Sequence, residues 1–148
     1  MLDEADLERY SRQLLLPEWS GEAQERLQRA SAMVVGLGAL GSPVAAYLVG
    51  AGVGRVGIVD SDDVELSNLP RQPLHFTSDV STNKALSASA KLALLNPTVL
   101  VEPYPARLGR IGSIRKEPST TSGLRPCRQW AKCNTDNDGM NLNNGMSV

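Results

Sequence analysis

The sequence predicts an α/β fold: a Rossmann-like half-sheet of three parallel strands in the order 3-2-1, with flanking helices and an irregular C-terminal tail. Three observations carry this. An apolar run, Met33-Val34-Val35, enters Gly36-Leu37-Gly38-Ala39-Leu40-Gly41, and Ser42-Pro43 then opens a helix, the form of a strand passing through Gly-x-Gly-x-x-Gly into a helix. Gly57-Ile58-Val59-Asp60 supplies a second strand that ends in a carboxylate. A further helical pattern and a further strand follow, and strands that alternate with helices build parallel sheets.

Taken in order, Asp6 to Leu16 suits a short helix, and Gly21 to Ala30 another with Ala23, Leu27 and Ala30 on one face. Strand one covers about Ala32 to Leu37. The helix after it stops at Gly50-Ala51-Gly52, where glycine can take the left-handed conformation that closes a helix. Strand two is Val56 to Asp60. The next helix runs from about Thr82 to Leu95, with Leu86, Ala90, Ala93 and Leu94 at helical spacing, and Asn96-Pro97 ends it. Thr98 to Glu102 is the third strand, which Pro103 is expected to stop because proline has no N–H for a ladder. After Leu108 no period emerges.

The glycine run has a specific chemistry. Gly36 permits the tight turn, Gly38 lets a phosphate approach the backbone, and Gly41 lets the helix pack close to the strand. The helix start offers unpaired N–H groups and the positive end of its dipole to an anion. Asp60 lies at the tip of strand two, where a ribose hydroxyl would sit.

Other polar residues have plainer readings when taken singly. Arg9, Arg12 and Arg71 read as solvated surface charges, and Lys84 as a polar residue in the first turn of its helix. Asp62, Asp63 and Glu65 have the look of a metal cluster, but with no histidine or cysteine nearby they read as a solvated acidic loop, so no metal ligand is assigned. His75, between Leu74 and Phe76, reads as packing.

The 148 residues are 41% hydrophobic and 21% charged. No apolar run is long enough for a membrane span, and nothing is basic enough for nucleic acid. The start, Leu2-Asp3-Glu4-Ala5-Asp6, is acidic and lacks the core of a secretion signal, so a cytoplasmic setting is expected. The charge is unevenly divided. Residues 1–108 carry nine Lys and Arg against thirteen Asp and Glu, while residues 109–148 carry six against three together with both cysteines.

One combination of motifs goes further than any residue alone. Arg9-Tyr10-Ser11-Arg12-Gln13, the glycine run with Ser42, the stretch Asp60 to Gln72 containing Asn68-Leu69-Pro70-Arg71-Gln72, and Lys84 occur in one order. From about Leu7 to about Leu108 this resembles the MoeB/ThiF-type adenylyltransferases that activate ubiquitin-like proteins. The resemblance implies that Gly36, Gly38 and Gly41 cradle ATP, that Asp60 holds the ribose, and that Asn68, Arg71 and Lys84 surround the triphosphate. It implies that Arg12 reaches into the nucleotide site of the neighbouring subunit of a homodimer. It also implies a reaction in which the C-terminal glycine carboxylate of a ubiquitin-like sulfur-carrier protein attacks the α-phosphate, forming an acyl-adenylate and releasing pyrophosphate, for molybdopterin or thiamine biosynthesis. Pro70 and Pro73 depart from the family pattern, removing two N–H donors and stiffening the loop around Arg71 and Gln72.

The resemblance divides the chain into an N-terminal part of a nucleotide-binding domain, 1–108, and a tail, 109–148. The family would continue with a buried strand ending in an aspartate that binds magnesium. Cys133-Asn134-Thr135-Asp136-Asn137 only echoes its sequel, so that aspartate is expected to be missing. Cys127 and Cys133 lack the paired Cys-x-x-Cys spacing of the family's structural zinc site, which is expected to be absent. The abrupt change near Arg107 to Arg110 leads to the expectation of a truncated or frame-shifted continuation, with the missing strand encoded in another reading frame. An incomplete adenylyltransferase is thus the first reading. The alternative is a non-catalytic nucleotide-binding or dimerising fragment. An NAD-dependent oxidoreductase would leave Arg9 to Gln13 and Asn68 to Gln72 without purpose.

Overall fold

The computed structural model describes residues 1–108 and, as backbone, the strand at 114–116. Its helices are α1 (Glu4–Arg9), α2 (Ser11–Leu14), α3 (Gly21–Arg29), α4 (Gly41–Ala51) and α5 (Lys84–Leu95). The strands are β1 (Ser31–Val35), β2 (Arg55–Val59), β3 (Leu100–Tyr104), β4 (Ala106–Leu108) and β5 (Ile114–Lys116). β1, β2 and β3 form one parallel sheet with β2 central, in a register that aligns Ala32 with Val56 and Val56 with Val101. The expected half-sheet and strand order are therefore present. No helix among the described residues is long and apolar enough to cross a membrane.

The core lies between the sheet and α4 and α5, where Val34, Val56 and Ile58 meet Ala45, Val49, Ala85, Ala88 and Leu92. Each fully buried Val, Leu or Ile here contributes about 1.5–3 kcal/mol. The buried stripe of α5 is not the one expected. Ala85, Ser87, Ala88 and Leu92 face inward, whereas Leu86 and Leu94 are exposed, because small side chains let the helix lie close on the strands.

Three other expectations are corrected. The first helix is two helices, broken at Tyr10, whose ring drops into the interior (1% exposed) and accepts a hydrogen bond from Asn96 Nδ2 at 2.9 Å. β3 runs through Pro103 instead of stopping before it. Leu100 N–H donates to Gly54 and Tyr104 C=O accepts from Asp60 N–H, so alternate residues face β2 and Pro103 turns its nitrogen to the outer edge, where no donor is required. Finally, β4 pairs antiparallel with β5, from Ala106 opposite Lys116 to Leu108 opposite Ile114, so a strand follows Leu108 where the sequence shows no period.

The N-terminal segment closes one end of the layer. Arg9 Nη1 donates to the Leu95 carbonyl at the end of α5 at 3.3 Å. Gln13 and Gln24 amides donate to the Ala51 carbonyl at the end of α4 at 3.2 and 2.9 Å. These donors satisfy carbonyls that a helix end leaves without partners. Gly52 completes the closure of α4 at φ 90°.

Candidate functional site

At the opposite end, where β1 and β2 finish, the chain leaves donors open. Gly36 takes φ 86° and its N–H donates to the Val59 carbonyl at 2.7 Å, which turns the chain sharply out of the sheet. A Cβ on Gly41 would stand 1.7 Å from the Gly36 carbonyl oxygen, so only glycine lets α4 begin there. Gly38 differs. Among the described residues a Cβ there would meet Gln72 Nε2 at 3.8 Å and nothing closer, so their packing does not demand glycine and leaves open space.

Among the described residues no side chain caps the start of α4. The N–H groups of Gly38, Ala39, Leu40 and Gly41 find no acceptor among the described residues. An uncapped helix N-terminus of this kind, carrying roughly half a positive charge, is suited to an anion such as a phosphate.

Asp60 anchors this loop from β2. Its Oδ2 accepts the Leu37 N–H at 2.6 Å and its Oδ1 the Asp62 N–H at 2.8 Å. Lys84, first residue of α5 and only 7% exposed, donates its N–H to the Asp62 carbonyl, and its Nζ lies 3.5 Å from Asp62 Oδ2. Asn83 caps α5 with its Oδ1 and donates its Nδ2 to the carbonyls of Asp60 and Asp62, which fixes Lys84 beside the tip of β2.

Asn68 and Arg71 belong to a 3₁₀ turn, Leu66–Arg71, that begins the excursion between β2 and α5. Asn68 is buried, its Oδ1 taking the Glu65 N–H at 3.4 Å and its Nδ2 reaching Ser67 Oγ at 3.3 Å. Arg71 is exposed, with Nη1 on the Ser67 carbonyl at 2.9 Å. Its neighbour Gln72 is buried beside Gly38, and Gln72 Oε1 has no hydrogen-bond partner among the described residues.

Arg12 is not brought to this loop. Gln13, next to it, is bonded to Ala51 at the far end of α4, and a helix of eleven residues is about 16 Å long, more than an arginine side chain spans. Of the motif Arg9 to Gln13, the residues Arg9, Tyr10 and Gln13 have structural partners, while Arg12 is exposed and makes no hydrogen bond or ion pair among the described residues.

The acidic loop is engaged by the protein itself, since Asp60 and Asp62 hold backbone donors and Lys84, and Glu65 Oε2 accepts Ser67 Oγ. No group of three His, Cys, Asp or Glu among the described residues could hold a metal ion. The tail motif Cys133 to Asn137 and Cys127 lie outside the described residues.

Residues that sequence reasoning passed over complete the site. His75, expected to be packing, is indeed buried, yet both ring nitrogens are hydrogen-bonded: Nε2 to the Leu37 carbonyl at 3.0 Å and Nδ1 to Ser87 Oγ at 2.9 Å. Burial, opposed by the Leu37 hydrogen bond and reinforced by the charges of Lys91 and Lys84, holds its pKa below the ordinary imidazole value, so the ring is neutral near pH 7. Ser42 Oγ donates to the same carbonyl at 2.8 Å. A lone histidine carries no spacing signal, which is why its sequence neighbourhood gave no sign of this role.

Comparison with known proteins gives this geometry a context. The ThiF family model matches residues 10–123. A sulfur carrier protein adenylyltransferase of Thermus thermophilus is 59% identical over 103 residues, which cover 70% of this chain and 38% of that protein. The adenylyltransferase and sulfurtransferase MOCS3 of Danio rerio is 47% identical over 114 residues, 77% of this chain and 25% of that protein. Among solved structures, tRNA N6-threonylcarbamoyladenosine dehydratase (TcdA) of E. coli in complex with ATP aligns with a TM-score of 0.66 and 27% identity, over 71% of this chain and 42% of that one. The chain thus spans 25–38% of the length of these two curated relatives.

Proposed function

Because this chain belongs to the ThiF family, we propose that it carries the nucleotide-binding half of a cytoplasmic, ATP-dependent adenylyltransferase acting on the C-terminal carboxylate of a ubiquitin-like sulfur-carrier protein. The supporting observation is the uncapped start of α4, where the N–H groups of Gly38, Ala39, Leu40 and Gly41 have no acceptor among the described residues and Gly38 leaves open space. In this reading ATP lies at this end of the sheet, its phosphates at the glycine loop and its ribose near Asp60, with Lys84 and Arg71 supplying positive charge. Such cations offset the charge that grows as pyrophosphate departs.

In this reading the chain works mainly by position and electrostatics, as nucleotidyl transfer requires little covalent help from a protein. The carrier's terminal carboxylate oxygen forms a bond to the α-phosphorus, the bond from that phosphorus to the bridging oxygen breaks, and pyrophosphate leaves. Asn68 would steady the triphosphate side. Magnesium is part of the family chemistry, but no group of three His, Cys, Asp or Glu among the described residues could hold the ion, so the residues named above act by binding and orienting the nucleotide.

Arg12 completes the site from a second copy. Its distance from its own loop and its lack of a partner among the described residues favour action in trans within a homodimer. The experiment is ATP–pyrophosphate exchange by the full chain with a glycine-terminated carrier. Any exchange that the parent shows should be abolished by Arg12→Ala and by Arg71→Ala, and mixing the two should restore part of it, because mixed dimers contain one intact site. A parent chain that binds ATP but never exchanges would instead favour the non-catalytic nucleotide-binding reading.

A further inference from the structure

We propose that His75 is a positioning residue for the nucleotide: it draws the Leu37 carbonyl inward and thereby turns the Gly38 N–H outward, toward the anion. The inference rests on the phosphate-binding reading of the loop.

A carbonyl oxygen only accepts, so the ring nitrogen 3.0 Å from Leu37 O carries the proton, and the other nitrogen accepts from Ser87 Oγ. Lys91 and Asp79 surround the same hydroxyl from the other side. Lys91 Nζ donates to Ser87 Oγ at 3.0 Å and to the Ser87 carbonyl at 3.1 Å and is ion-paired with Asp79, whose carboxylate also lies within reach of the Ser87 hydroxyl.

The consequence for the loop is geometric. No peptide bond among the described residues is cis, so the C=O of Leu37 and the N–H of Gly38 lie in one plane and point in opposite directions. The carbonyl held by His75 and Ser42 opposes a flip of that plane, and the Leu37 N–H held by Asp60 fixes the peptide unit before it. Gly38 N–H is then fixed toward the open space that its missing side chain leaves. A donor set before the ligand arrives costs no reorganisation on binding.

The test compares ATP with adenosine, which lacks the phosphates, by calorimetric titration of the full chain. His75→Gln keeps a donor near Leu37 O and should bind ATP within about threefold of the parent, whereas His75→Leu should weaken ATP about tenfold and leave adenosine unchanged. Equal ATP affinity in His75→Leu would overturn the proposal. So would equal weakening of both ligands, the mark of general loosening. Should His75→Leu fail to fold, Ser87→Ala replaces it: selective weakening of ATP supports the proposal and none overturns it. Imidazole ¹⁵N shifts of the ligand-free chain give a separate reading. The Nε2–H tautomer is expected, and an Nδ1–H tautomer would overturn the positioning role even if ATP binds. A parent that shows this tautomer but binds no ATP overturns the phosphate-loop reading, and the proposal with it.

Discussion

Two glycines three positions apart separate folding from binding at the level of single residues. At Gly41 a methyl group would overlap the backbone of Gly36, which cannot move without displacing the end of β1, so Gly41→Ala should cost at least about 3 kcal/mol of stability. At Gly38 a side chain enters only the open space, so Gly38→Val should melt within a few degrees of the parent yet lose ATP binding. Thermal denaturation and calorimetry check the pair. A Gly38→Val chain that binds ATP as well as the parent would show that the loop does not hold phosphate. The glycine turn at the end of β1 and the place of Asp60 at the tip of β2 were legible in sequence because motif and spacing encode them locally, whereas Lys84 read singly only as a polar residue in the first turn of its helix. His75 and Gln72 were not legible, since their roles depend on partners brought together only by the fold, such as His75 and Leu37, 38 residues apart.

Among elements, the join between α1–α2 and the ends of α4 and α5 depends on one buried amide. Asn96 Nδ2 donates to Tyr10 Oη and to the Val49 carbonyl, both at 2.9 Å, while its Oδ1 accepts from Thr98 Oγ1. Asn96→Ala strands Tyr10 Oη and the Val49 carbonyl in the interior, and denaturant unfolding should show a loss of about 3 kcal/mol. Periodicity announced the strand–helix–strand unit around the glycine loop, because β1, α4 and β2 follow one another with short connections. It misplaced the buried face of α5, since a stripe of alanine and serine carries little hydrophobic signal. It also misjudged Pro103, because whether a strand residue faces a neighbour or an edge is settled by the sheet and not by the strand.

For the molecule as a whole, acid should act in two stages. His75 is held below its ordinary value, so between about pH 6.5 and that lower folded value unfolding takes up a proton, and stability falls as pH drops through the window. Burial alone would raise Asp79, but Lys91 and the Phe76 N–H more than offset this and hold it below the ordinary carboxylate value. Its contribution is therefore full above about pH 3.9 and is lost as pH falls through the lower folded value. Melting temperature measured against pH should show both steps, and His75→Gln should remove only the upper one.

The excursion from Asp60 to Asn83 is cinched at its neck. Val64 N–H bonds Thr82 O, Ser81 N–H bonds Val64 O, and Asp63 bridges Asn83. A loop closed in this way is expected to open as one unit: the amides of Asn68, His75 and Asp79, each bonded to a carbonyl of the same loop, become exchangeable together when the neck parts. Their deuterium uptake should therefore share one opening free energy, distinct from that of β2. Saturating ATP should slow all three together, so that a ligand held at the sheet end is felt as a tightened purse-string across the entire excursion.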